Sequence, residues 1–372
     1  MYALKQDFFE INPKKEFHVF FARENEFERF FEDLVGTVKS GKTPRYVVFG
    51  LFGVGKTHFL HHLKYRLGDQ VDSLYFETPE AHRRTSFVDF YRQIISTLGR
   101  NTVLDVLREG LKAYSKVAEL GLSQDLLYVI DNALKQDLSF VLWKFLSGEK
   151  LKVAEAEKLE AVRPELSEDD CVSVLKAILY LHEKARGKPL LLLVDEFETT
   201  RNIGGDARTS FTGAMRSMVD ESSRVSVVFA ITARSLAEMP SALYEEPVRR
   251  RIGVTNYIEF HEYTEDELAR FLLQAIDYRR DPSVNLKKIL AGIVSDETVD
   301  EKTYPFSAEA LKEIVASIFL LHEQQRIEAI RPKEGLEIMD KALRVAISKK
   351  LPFIGKDTIL EVRDQVVEAL RL

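Results

Sequence analysis

The chain has 372 residues, 45% of them hydrophobic, ample for a buried core and a length that suggests about two domains. Its formal net charge of -6 lacks the basic excess of a dedicated nucleic-acid binder, so only a local patch on an assembled oligomer would serve DNA. The single cysteine, Cys171, excludes an internal disulfide and a zinc knuckle, and it reads as a solvated or half-buried thiol. Residues 1–15 are charged and carry no apolar signal core, and apolar runs such as 189–194 are too short to cross a bilayer. A soluble, cytoplasmic protein with no membrane partner is expected.

Residues 45–49 (RYVVF) form a short β-branched and aromatic run that ends on Gly50, which predicts a buried strand. Residues 57–67 place apolar side chains at helical spacing and stop at Gly68, a helix with glycine just past its end. A strand at 73–76 and a helix at 86–98, stopped by Gly99, follow. This alternation points to a parallel sheet with crossover helices. Residues 101–170 break the rhythm. Segments 103–111, 126–134 and 138–146 are helix-periodic with no strand between them, as expected of an all-helical insertion. The α/β pattern resumes with a helix at 171–185, a strand at 190–194, a helix near 209–219, a strand at 225–232 and a last short strand near 257–260. Beyond residue 263 only helical patterns remain (265–278, 308–321, 334–348 and 356–370), separated by Asp281-Pro282 and by 303–307. The expected architecture is an α/β nucleotide-binding domain over 1–262 and an all-helical domain over 263–372. No internal repeat or low-complexity segment is present.

The string GLFGVGKT at residues 50–57 fits GxxxxGK[ST] between a predicted strand and a predicted helix, the context a phosphate-binding loop requires. Its backbone N–H groups curl around a β-phosphate, and the following helix end adds partial positive charge. The nucleotide-contacting stretch is Gly50, Leu51, Phe52, Gly53, Val54, Gly55, Lys56, Thr57 and His58. Lys56 suits the β- and γ-phosphates, and the Thr57 hydroxyl suits Mg²⁺. In LLLLVDEFE, residues 190–198, a buried strand ends on an acidic pair. Asp195 is placed to hold the Mg²⁺ water shell and Glu196 to polarise an attacking water. His58 and His62 stand at i, i+4, yet no carboxylate or cysteine joins them, so they read as packing residues.

These motifs resemble the origin-recognition/initiator and STAND-like branch of AAA+ ATPases over nearly the whole chain. FFARENEFERFFEDL, residues 20–34, looks like the stretch that packs around adenine. FETPEAHRRTSFVDFYRQIISTLG, residues 76–99, resembles the second strand and its helix. PVRRRIGVTNYIEFHEYTEDEL, residues 247–268, is similar to the family's arginine-finger strand and its entry into a helical lid. The resemblance implies an AAA+ P-loop parallel sheet with a helical lid, ATP and Mg²⁺ as cofactors, and a homo-oligomer. Thr232 would be the polar residue sensing the γ-phosphate. One of Arg249, Arg250 and Arg251 would reach a neighbouring subunit's nucleotide, with Arg250 and Arg251 ahead. In IRPKEGLEIMDKAL, residues 330–343, the second sensor aligns nearest Lys333, with Arg331 beside it. A lysine there departs from the family pattern.

Residues 143–149 (WKFLSGE) and the run to Leu166 look like an insertion of ATPases from BREX-type phage-defence loci. Lid helices running to Leu372 leave no room for the winged helix of replication initiators, so an origin binder is not expected. The leading expectation is an ATP-hydrolysing oligomeric switch with a protein partner, in phage defence or mobile-element control. The alternatives are an ATPase that assembles on duplex DNA and a nucleotide-binding scaffold with little hydrolysis.

Overall fold

Five apolar runs pair into one sheet in the computed structural model, which describes residues 2–113, 121–220 and 222–369. The strands are β1 (Arg45–Gly50), β2 (Asp72–Glu77), β3 (Leu190–Asp195), β4 (Ser226–Thr232) and β5 (Tyr257–Phe260), in the order β2-β3-β4-β1-β5. The β2–β3 and β3–β4 pairings are parallel, with Glu77 opposite Asp195 and Val194 opposite Phe229. Every residue of β1 and β3 is buried, which is why both read as unbroken apolar runs instead of alternating ones.

The helices are α1 (Glu24–Lys39), α2 (Lys56–Leu67), α3 (Phe87–Leu98), α4 (Arg100–Ala113), α5 (Gln124–Lys135), α6 (Ser139–Leu146), α7 (Val153–Leu159), α8 (Glu168–Arg186) and α9 (Gly205–Met218). They continue with α10 (Ser241–Tyr244), α11 (Glu246–Ile252), α12 (Glu265–Arg279), α13 (Leu286–Leu290), α14 (Ala308–Glu323), α15 (Pro332–Lys349) and α16 (Lys356–Ala369). Leu370, the last residue of the helix expected at 356–370, lies outside the described residues. The chain forms two compact units. One comprises Phe30–Phe49 and Leu63–Glu259, the other Met1–Arg29, Gly50–His62 and Phe260–Leu372.

In the sheet-bearing unit, Phe197, two residues beyond β3, is fully buried, with its ring 4.8 Å from Phe229 of β4 and 5.8 Å from Phe90 of α3. Removing such a ring costs about 3–5 kcal/mol, so the turn after Asp195 is firmly anchored. Helix α8 starts three residues earlier than its apolar period suggests, because Ser167 and Asp170 form a reciprocal capping box. Cys171 corrects the expectation of a solvated or half-buried thiol. It is fully buried on α8, and burial pushes the thiol up to about 12.

The other unit has its own core, including Leu272, Ile314, Ile318, Met339 and Leu343. Tyr2 and Phe9 of the N-terminal segment belong to it as well. That segment is tied down by Lys5 N–H to the Arg279 carbonyl (2.7 Å) and Asp281 N–H to the Ala3 carbonyl (2.8 Å). Arg279, 5% exposed, pairs with Glu16 at 2.5 Å. Among the described residues no helix is long and apolar enough to cross a membrane.

Candidate functional site

The loop between β1 and α2 is shaped by two glycines at positive φ, Gly53 (+84°) and Gly55 (+104°), a backbone that side-chain-bearing residues rarely adopt. Helix α2 begins at Lys56, so its first N–H groups face the loop without helical acceptors. Lys56 is 7% exposed, and its ammonium donates to the carbonyls of Gly50 (3.0 Å) and Leu51 (2.8 Å). The loop therefore carries a cation and a row of N–H donors around a glycine cradle, a donor set that fits a polyphosphate.

A cavity of about 570 Å³ opens beside it, lined by Phe20 and Phe21, by Gly53, Gly55 and His58, and by Tyr263 and Lys333 among others. That volume is in the usual range for small-molecule sites. His58 is kept from metal-ligand duty by its hydrogen bond, since Nε2–H donates to the Val19 carbonyl at 2.6 Å. Burial, reinforced by His62 and His61, lowers its pKa to about 4 and keeps the ring neutral. His62 likewise spends Nδ1 on the Phe17 carbonyl (2.8 Å).

The two basic candidates on the lid separate clearly. Lys333 lines the cavity with its side chain 69% exposed, and its ammonium stands 3.8 Å from Glu337. Arg331 is the N-cap of α15 and lies against the loop, so that a Cβ on Gly53 would come within 2.5 Å of its Cδ. The Arg331 guanidinium also stands 5.6 Å from the Phe52 ring.

In the sheet-bearing unit, the Asp195 carboxylate is held at both oxygens. Oδ1 accepts from the Glu196 N–H (3.0 Å) and Oδ2 from the Tyr75 hydroxyl (2.9 Å). The Asp195 carbonyl accepts from both the hydroxyl and the N–H of Thr78, each at 2.8 Å. Burial, with the Asp195 carboxylate alongside, raises the Tyr75 phenol above its ordinary value, so it stays a proton donor. Glu196 is exposed at φ +56°, a left-handed conformation that costs a non-glycine residue about 1–2 kcal/mol. The Thr57 hydroxyl and the Asp195 carboxylate are hard oxygen donors of the kind Mg²⁺ takes. Thr232 ends β4, and its carbonyl accepts from Arg201 at 2.5 Å.

The arginine triplet brings a correction. The family resemblance puts it on the arginine-finger strand, yet Arg249, Arg250 and Arg251 occupy the last turn of α11. Pro247 in the first turn presets helical backbone there, and β5 starts only at Tyr257. Arg251 is committed to Asp220 (2.9 Å) and the Pro247 carbonyl (2.7 Å). Arg249 lies 5.9 Å from the Tyr244 ring. Arg250 is 77% exposed, with an i, i+4 contact to Glu246 at 2.5 Å.

The phosphate loop, His58, Arg331 and Lys333 thus belong to one compact unit, and Asp195, Glu196, Thr232 and the arginines to the other. Tyr75 and Glu334 were not singled out from the sequence. Tyr75 becomes visible only through the β2–β3 register, which pairs it with Leu193, two residues before Asp195.

No curated relative matches the chain in sequence. Among solved structures it is similar to the Aeropyrum pernix ORC2 protein in ADPNP–ADP complexes, at 14% identity and a TM-score of 0.50, covering 92% of this chain and 67% of that one. It is similar to the Aeropyrum pernix ORC1 protein in complex with DNA at 13% identity and a TM-score of 0.48, covering 94% and 66%. The Thermotoga maritima RuvB Holliday junction branch migration motor gives 11% and 0.42, covering 92% and 68%. The chain therefore spans about two thirds of the length of these solved proteins, and at such identities the likeness concerns the fold alone. Residues 19–230 match the AAA ATPase domain model, more than half of the chain, and the protein belongs to that family.

Proposed function

We propose that the protein binds Mg-ATP, hydrolyses it, and works as an oligomeric switch whose lid reports the nucleotide state. The observation that carries this reading is the seating of Lys56 in a glycine cradle beside a cavity of about 570 Å³. Lys56 and the loop amides hold the phosphates, and Arg331 reads them from the lid. Thr57 and Asp195 are the residues that would supply oxygen donors to a Mg²⁺ ion, which when bound neutralises charge on the phosphate oxygens. Glu196 orients and polarises the attacking water, with Thr232 as the neighbouring sensor. For the residue reaching a neighbouring subunit, the 77% exposed Arg250 is better suited than Arg251, which is held by Asp220 at its Nε and by the Pro247 carbonyl at its Nη1. The phage-defence setting rests on the resemblance of residues 143–166, and a neighbouring defence gene would support it.

The test is a titration with a fluorescent ATP analogue, an ATPase assay, and sizing with and without ATP. Lys56→Ala abolishes binding. Glu196→Gln keeps binding and lowers turnover at least 100-fold, on the order of other catalytic polar groups. Arg250→Ala blocks turnover in an all-variant sample and is partly rescued by mixing with Glu196→Gln protein. Turnover unchanged in Glu196→Gln would end the hydrolytic reading. ATPase activity raised by duplex DNA, and lost again on adding salt, would replace the switch by a DNA-assembled ATPase.

A further inference from the structure

Arg331, the N-cap of α15, precedes Pro332 with an extended backbone (φ -140°, ψ 157°). Its Nε donates to Oε1 of Glu334 at 2.6 Å, one turn into the helix. Glu334 is 1% exposed, and its second oxygen, Oε2, is buried without a hydrogen-bond partner among the described residues. The next residue, Gly335, is packed under Leu272 and Ile318, so the surroundings are apolar. A half-satisfied buried carboxylate is costly, and an apolar residue of the same size would pack there at less cost. Burial raises the Glu334 carboxyl, with its own backbone N–H and Arg331 only partly opposing that shift. Stability alone does not account for a glutamate at this position.

We infer that Glu334 is a positioning residue that takes Arg331 by its Nε and leaves the Nη1/Nη2 edge of the guanidinium for the terminal phosphate of a bound nucleotide. A guanidinium can divide its donors in this way because its N–H groups are fixed in a planar fork. The close approach to Gly53 supplies the other half of the geometry, with Nη1 3.2 Å from where a Cβ on that glycine would stand. Only a glycine admits the arginine so near the loop. The inference rests on the reading of Arg331 as a phosphate contact.

The experiment compares affinities for fluorescent ATP and ADP analogues in the full chain, alongside melting temperatures. Glu334→Met fills the apolar site without accepting from Nε, and it lowers the ATP-over-ADP preference about tenfold while the melting temperature holds or rises. Glu334→Gln keeps an acceptor oxygen and retains most of the preference. Arg331→Lys keeps the charge at a partly exposed position but cannot fork, and it loses preference as Glu334→Met does. Parental preference in Glu334→Met or in Arg331→Lys, with Arg331→Ala impaired, overturns the positioning role. Parental preference in Arg331→Ala overturns instead the reading of Arg331 as a phosphate contact, and the inference falls with it.

Discussion

His58 links the cavity to acid stability in a way that can be measured. Its ring is neutral in the folded protein, with the pKa lowered from 6.5 to about 4, mainly by burial. His62 and His61 lower it further, while Glu16 and the Val19 carbonyl oppose the shift. As pH falls below 6.5 the unfolded chain takes up a proton at this position and the folded chain does not, so stability falls through that window and levels off near pH 4. At 1.36 kcal/mol per pH unit the span amounts to about 3 kcal/mol at most, a sizeable fraction of a typical domain's stability. His58→Gln keeps an N–H for the Val19 carbonyl and removes the titration. Urea unfolding of parent and variant at pH 7, 6, 5 and 4.5 isolates the effect, because the other titrating groups are shared. The parent should lose about 2–3 kcal/mol more than the variant over that range. Equal losses in both proteins would refute the assignment of a depressed, buried imidazole.

Three further outcomes follow from single contacts. Tyr75→Phe removes the donor to Asp195 Oδ2 and should raise the Mg²⁺ concentration needed for analogue binding by about 10-fold or more, with little change in melting temperature. Gly53→Ala places a methyl group 2.5 Å from Arg331 Cδ on a backbone at φ +84°, and should weaken ATP binding severely while far-UV circular dichroism stays native. Cys171, with its buried thiol pushed up to about 12, should resist alkylation at pH 8 until denaturant is added; rapid labelling of native protein would contradict its burial.

The parts of the fold legible in the sequence are those where one local rule decides the outcome. Strands β1 and β3 show as continuous apolar runs because both of their faces are buried, and the phosphate loop shows because its glycine spacing has few other uses. What stayed hidden depends on placement in three dimensions. Tyr75 reaches Asp195 only through the parallel β2–β3 register, which no residue of β2 announces. The resemblance aligns the second sensor nearest Lys333 with Arg331 beside it, and only the folded chain shows Arg331 against the loop at Gly53 and Lys333 69% exposed. The arginines of α11 were assigned by resemblance to a strand, and the local signal against it was Pro247. The burial of Cys171 follows from the face of α8 it occupies, and a single residue carries no sign of that.

The allocation of residues to the two units bears on how binding and turnover can be separated. The N-terminal segment (Glu10, Ile11), the phosphate loop (Gly53, Gly55) and the lid (Tyr263, Leu336) all line the cavity, and all belong to one compact unit with a single core. A ligand filling that cavity touches three stretches far apart in sequence, so it should stabilise the unit as a whole, by about 2.7 kcal/mol at 100 times its Kd. Asp195 and Glu196 line no part of the cavity described. ATP without Mg²⁺ should therefore raise the melting temperature of Glu196→Gln protein as much as that of the parent, and leave Lys56→Ala unmoved. A shift lost in Glu196→Gln would mean that the second carboxylate of the acidic pair takes part in binding itself, and the division of labour between Lys56 and Glu196 would have to be redrawn.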